Sequence, residues 1–206
     1  MSKEHLSELI HKSDEAVYDV SAFLNEADNR DVVLKDVLNL CMNGTPKERF
    51  ICLTVLANEQ PELLKEKLPF LTSEILHTLD SNQRITLPVL STIMNLKLVE
   101  YVQFCSKLLE YAKENDLPQI KSMAFRVLIS LDWKSVQDSL QQVIEQGNER
   151  KVVDTMAYFR LKNGDVEFES FLSSLPEELQ QKVSNLDIAI SGRLETHYMQ
   201  YVMRGR

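Results

Sequence analysis

Glycine is scarce in this chain, and its distribution is as telling as its number. Only five occur, and none lies between Gly44 and Gly147. A stretch of about a hundred residues without glycine is hard to build from β-hairpins, whose tight turns need positive φ. Helices have no such need. Proline is nearly as rare, at six, so few helical segments are forced to break. The three cysteines, Cys41, Cys52 and Cys105, have no metal-ligand spacing and sit among apolar residues, which predicts buried, reduced thiols. Their odd number, and the lack of a leader-like start, point to a reducing cytoplasm. No apolar run is long enough to span a bilayer, so no membrane partner is expected. Cations are in the minority: 23 Lys and Arg against 31 Asp and Glu give a net charge of −8. That balance argues against nucleic acid as a partner, since phosphates must be neutralised by Lys and Arg.

Catalytic signatures are missing too. His5, His11, His77 and His197 are scattered, none at helical spacing from another ligand type. No phosphate loop or dinucleotide fingerprint occurs. The adjacent Glu177 and Glu178 follow Pro176 and suit the first turn of a helix, where they favour the macrodipole. No catalytic residue, cofactor site or metal ligand is therefore nominated, and the chain reads as non-enzymatic.

What is present is a 206-residue chain with 44% hydrophobic and 26% charged residues, enough for a sizeable core. Its main feature is internal repetition. Residues 115–131, NDLPQIKSMAFRVLISL, echo residues 80–96, DSNQRITLPVLSTIMNL. Four turn residues, Asn43, Asp80, Asn115 and Gly147, lie 37, 35 and 32 residues apart, each between two apolar helical stretches. In the middle units Ile85, Pro88, Val89, Thr92, Ile93 and Leu96 match Ile120, Met123, Ala124, Val127, Leu128 and Leu131, the pattern of a helix buried along one wide stripe. Val152, Thr155, Met156 and Phe159 continue it, and Ile51, Cys52, Val55 and Leu56 begin it. The first helices read Val33-Leu34-Val37-Leu38-Cys41, Leu68-Leu71-Ile75-Leu79, Tyr101 to Ala112, and Val136-Leu140-Val143-Ile144. Thr45, Pro46 and Glu48 form a capping box. Asp132 and Ser135 are expected to cap a helix beginning near Lys134, and Pro69 to kink or split its helix.

The pattern resembles HEAT repeats. In that family the first helix often carries a proline, an aspartate ends the inner turn, and Val-Arg or Val-Lys opens the second helix five and six residues later. Pro69, Asp80 and Ile85 match in the second unit, Asn115, Ile120 and Lys121 in the third, and Asn43 and Arg49 in the first. Thr86 and Val153 replace the basic residue in the other two. The resemblance covers residues 30–163 and implies an all-α, right-handed α-solenoid of about four HEAT-like helical pairs. Residues 1–29, with Ala16, Val17, Val20, Phe23 and Leu24 on one face, read as an N-terminal helical cap, and residues 164–206 as a C-terminal helical cap of two short helices and a last one from 187 to 203. The whole is expected to be one domain.

A pair of helices cannot bury its stripe alone, and stacked pairs can, which leaves the second helices lining a concave face. Removing the stripe positions from those helices leaves Phe50, Thr54 and Asn58, then Leu87, Ser91 and Asn95, then Ser122, Arg126 and Ser130, then Asp154, Tyr158 and Lys162. The candidate partner-binding residues are Phe50, Leu87, Ser91, Ser122, Arg126, Asp154 and Tyr158, because aromatic side chains and arginine are enriched at protein interfaces. The expected function is a protein-interaction scaffold or adaptor that binds a protein or peptide on this face. One alternative is a HEAT-like nucleic-acid-binding or DNA base-repair protein, with Trp133 exposed and Asp154 as its acid. Another is an enzyme whose site carries no motif.

Overall fold

The computed structural model describes residues 3–78 and 83–204, with side chains for 4–78 and 83–196. Leu79 and Asp80, assigned above to a buried stripe and an inner turn, lie outside the described residues, as does the side chain of His197. The chain is all-helical, with no strand among the described residues. It forms two compact units, Met1–Val127 and Leu128–Arg206.

The first unit runs through α1 (Lys3–Lys12), α2 (Ala16–Glu26), α3 (Arg30–Asn43), α4 (Pro46–Glu59), the short α5 (Glu62–Lys65), α6 (Leu68–Thr78), α7 (Gln83–Asn95), a 3-10 turn and α8 (Val102–Glu114) into the start of α9 (Pro118–Asp132). Helix α4 is its centre and packs on α1, α2, α3 and α7, while α6 packs on α7. Its stripe is buried at Ile51, Cys52, Leu53, Val55, Leu56 and Ala57. That is more than one face, as expected of a helix covered on several sides. The expected stripe of α7 is likewise buried at Ile85, Pro88, Val89, Thr92 and Ile93.

Local chemistry explains the breaks. Pro69 sits in the first turn of α6, just past the break that separates α5 from α6. Helices α7 and α8 end without glycine. Lys97 and Asp116 take positive φ (52° and 49°), and the next amides, of Leu98 and Leu117, return to Ile93 and Ala112 carbonyls at 3.1 and 3.0 Å. Gly44 has ordinary extended φ, and close approach requires it: an added Cβ would lie 2.5 Å from the Leu40 carbonyl oxygen.

The capping box forms. The Glu48 amide donates to Thr45 Oγ1 at 3.4 Å and the Thr45 amide to Glu48 Oε2 at 2.6 Å. The sequence did not reveal its second role. Glu48 is buried, and it also accepts from Ser7 Oγ of α1, with His11 Nε2 at 3.7 Å. Burial alone would raise this carboxyl's pKa, but hydrogen bonds from Ser7 and Thr45, with His11, outweigh it and hold it below the ordinary 4.5. Arg49 is also a staple. Its Nε donates to the Cys41 carbonyl at 3.1 Å, and its two terminal nitrogens grip Glu74 of α6 at 2.6 Å each.

The second unit continues through the end of α9, a 3-10 turn at Trp133–Val136, α10 (Gln137–Gln146), α11 (Glu149–Ser174), α12 (Glu177–Ser184) and α13 (Asp187–Arg204). Helix α10 packs on α11 and α12, and α11 on α12 and α13. Gly164 (φ 82°, ψ 175°) interrupts α11, so residues beyond it form a separate short helical segment. That segment, α12 and α13 are the three C-terminal helices expected. The expected caps at Asp132 and Ser135 are not made: Asp132 has no capping hydrogen bond, and Ser135 Oγ turns back to the Asp132 carbonyl at 2.7 Å. The 3-10 turn intervenes, so α10 starts only at Gln137, two residues beyond Ser135.

Candidate partner-binding groove

Within the first unit, α4, α7 and the start of α9 line an open groove of about 690 Å³. Helix α4 contributes Phe50 and Thr54, α7 Leu87 and Ser91, and α9 Ser122, Met123 and Arg126. Five expected site residues, Phe50, Leu87, Ser91, Ser122 and Arg126, are thus brought together. Phe50, Leu87 and Ser91 are half-buried, while Ser122 and Arg126 are exposed. They fall on one wall because the opposite sides of α4 and α7 hold the buried stripes.

The groove extends past Phe50 in two directions. Toward the turns that open α7 and α9 it continues between Arg84, Gln83, Pro118 and Gln119, a further 420 Å³. Toward α2 it meets a hollow of about 710 Å³ lined by Asp14, Glu15, Tyr18, Lys47 and Glu59. Tyr18 is 70% exposed. Ser21 Oγ and Asn25 Nδ2 of α2 both donate to the Glu59 carboxylate. Among the described residues lining the α4–α7–α9 parts, two are arginines and none is acidic.

The sequence reading missed several of these positions. Met123, expected to be buried between units, is half-buried and lines the groove, because the stripe of α9 is narrower than the alignment with α7 implied. Asn95, read as facing out, is exposed but donates Nδ2 to the Ala57 carbonyl at 3.1 Å, tying α7 to α4. Arg84 and Pro118 stand in the first turns of α7 and α9, one turn before Leu87 and Ser122, and Tyr18 stands on α2, beyond the helices from which the outward strip was read.

Asp154 and Tyr158 belong to the second unit and line no part of that groove. Asp154 is held by Arg193 Nε of α13 at 2.6 Å, with Arg150 at 3.9 Å. Tyr158 is only 9% exposed, with the Lys162 ammonium 5.8 Å from its ring centre. Helix α13 lies against α11, and Asp154, half-buried and paired with Arg193, lines a separate hollow of about 340 Å³ with Val153, Ala189 and Gly192. Trp133 is also buried: its ring meets Phe159 and Phe171 edge-on at 5.5 and 5.8 Å, and its Nε1 donates to Glu167 at 3.0 Å. It is not the exposed aromatic that a base-repair site would need.

Cys41, Cys52 and Cys105 are free and buried. Burial pushes the Cys41 and Cys105 thiols up to about 12 and raises Cys52 further still. Among the described residues no group of three or more His, Cys, Asp or Glu side chains is placed to hold a metal ion, and no helix is long and apolar enough to cross a membrane. Comparison with family models, with curated proteins and with solved structures gave no match.

Proposed function

We propose that this chain is a non-enzymatic protein-interaction scaffold of the HEAT-like α-solenoid kind, working in a reducing compartment, and that it seats a protein or peptide on the face made by its second helices. The observation that carries the reading is the groove itself. It is open and mixed in polarity, and its walls are half-buried side chains on rigid helices, the setting in which interface anchors bind with little ordering cost.

The repeat reading draws support from the long-range side-chain hydrogen bonds. Within the first unit Ser7 reaches Glu48, Ser21 reaches Glu59 and Asn95 reaches Ala57, at separations of 41, 38 and 38 residues. Within the second, Asn163 reaches Ile129, Lys182 reaches Glu145 and Arg193 reaches Asp154, at 34, 37 and 39. Bonds that recur near the sequence period are what nearest-neighbour stacking produces. By the same token α1–α2 and α12–α13 resemble further helical pairs more than unrelated caps.

The test is to pan a displayed peptide library against the folded chain, then against Leu87→Asp and Lys107→Glu, each checked for retained helicity. Lys107 is exposed on α8. Peptides that lose about tenfold or more in affinity with Leu87→Asp and keep it with Lys107→Glu support the groove. The opposite pattern moves the site to the first helices and discards this reading.

A further inference from the structure

We propose that the α7–α9 end of the groove is built for a segment of a partner protein that carries carboxylates beside a bulky apolar side chain. The proposal rests on the reading that the groove is the binding face. Its basis is the charge along the wall. Acidic residues outnumber basic ones 31 to 23 in the chain, yet the groove lining between α4, α7 and α9 presents Arg84 and Arg126 and, among the described residues, no acid. Both arginines are exposed. On the other side of Phe50 the sign reverses, with Asp14, Glu15 and Glu59 against Lys47.

Each part has a chemical consequence. Phe50, Leu87 and Met123 offer apolar surface to one large side chain. An arginine offers a planar donor fork that matches a carboxylate and is charged at every physiological pH. A segment whose acidic residues follow its anchor toward Arg84 and Arg126 gains from both. The same segment laid the other way places its carboxylates against Asp14 and Glu15 and is repelled. The charge gradient therefore selects direction as well as composition, by repulsion as much as by attraction.

Short synthetic peptides with one Leu or Phe anchor, flanked on one side by Glu, Gln or Lys, provide the test. Their binding to the full chain is measured by fluorescence anisotropy at low and high salt. The Glu peptides are expected to bind at least about tenfold tighter than the Gln and Lys peptides, with an advantage that shrinks as salt rises. The double variant Arg84→Glu with Arg126→Glu, both surface positions, should transfer that advantage to the Lys peptides while leaving the far-ultraviolet spectrum unchanged. Equal binding of all three sets, lost in Leu87→Asp, overturns the charge rule and leaves the groove standing as the binding face. No Leu87-dependent binding by any peptide overturns both. A single-stranded oligonucleotide that displaces the Glu peptides and is itself lost in the double arginine variant also overturns the proposal, in favour of a nucleic-acid partner.

Discussion

Around α4 the interior of the first unit is aliphatic. Leu53, Val55, Leu56 and the Cys52 thiol fill it, and the charges at its margin are tied down by Glu48 and Arg49. Around α11 the second unit is aromatic. Phe159 lies at the centre of three rings, 5.5 Å from Trp133, 6.1 Å from Phe168 and 5.3 Å from Phe171. The difference shows that two all-helical units of one chain can be filled in two ways. Aliphatic stripes mesh when each helix meets a similar neighbour. On either side of the kink at Gly164, large rings pack together instead, Phe159 before it and Phe168 and Phe171 after it. The first unit keeps a groove open on its second-helix wall, whereas in the second α13 lies against α11 and pairs Asp154.

The largest expected effect lies in the aromatic cluster. Phe159→Ala should cost about 3–5 kcal/mol, since it removes a fully buried ring from a close-packed site. Trp133, the only tryptophan, lies in that cluster, so its fluorescence during chemical denaturation reads the loss directly. Leu71→Ala in the first unit should cost about 2–5 kcal/mol, and Met123→Ala less, because Met123 is half-buried. If Leu71→Ala shifted the tryptophan transition as far as Phe159→Ala does, the two interiors would not be separable and the contrast would fall.

Gly164→Ala comes next. There is room for the new methyl, so the cost is that of the backbone alone, about 1–3 kcal/mol for a non-glycine residue held at such φ and ψ. A neutral result in the same denaturation experiment would mean that the kink does not place the phenylalanines.

In the first unit the capping staple is worth less. Thr45→Ala should cost about 1 kcal/mol. The Glu48 carboxyl is held below its ordinary 4.5 when folded, so its stabilisation is fully present above that pH and is lost as the pH falls through the lowered folded value. The melting-temperature gap between wild type and Glu48→Gln should therefore be widest near neutral pH and should close in acid. A gap that persisted in acid would assign Glu48 a packing role only.

The smallest expected signal is from the thiols. With Cys41 and Cys105 raised to about 12, native-state labelling by a thiol reagent should be slow and should accelerate only on unfolding. Rapid labelling of Cys105 while Cys41 and Cys52 stay protected would locate a local opening at α8.

Much of the helical plan is legible in the sequence. The glycine-free centre, the wide apolar stripes and the Thr45–Glu48 box identify helices, their buried sides and one of their starts, since all three follow from backbone geometry within a few residues. The stripe also placed five groove residues on one wall, because outward positions are the complement of buried ones. Periodicity cannot say whether another element will pair with an outward residue, as Arg193 of α13 does with Asp154. Arg84 and Pro118 stand in the first turns of α7 and α9, on the same sides as Leu87 and Ser122; they were overlooked because the outward strip was begun one turn too late, although periodicity reaches them.

The sequence by itself determined that this protein is helical and which side of most of its helices turns inward, because hydrophobic burial repeats with the helical period. Only the tertiary structure decided which outward faces stay open. It packed α13 on α11 in the second unit and left the α4–α7–α9 wall uncovered in the first, with two arginines and no described acid along it. It also decided that Glu48, legible as a cap, is bound by Ser7 of α1. Such outcomes depend on contacts between residues some forty positions apart, where no local rule of spacing operates.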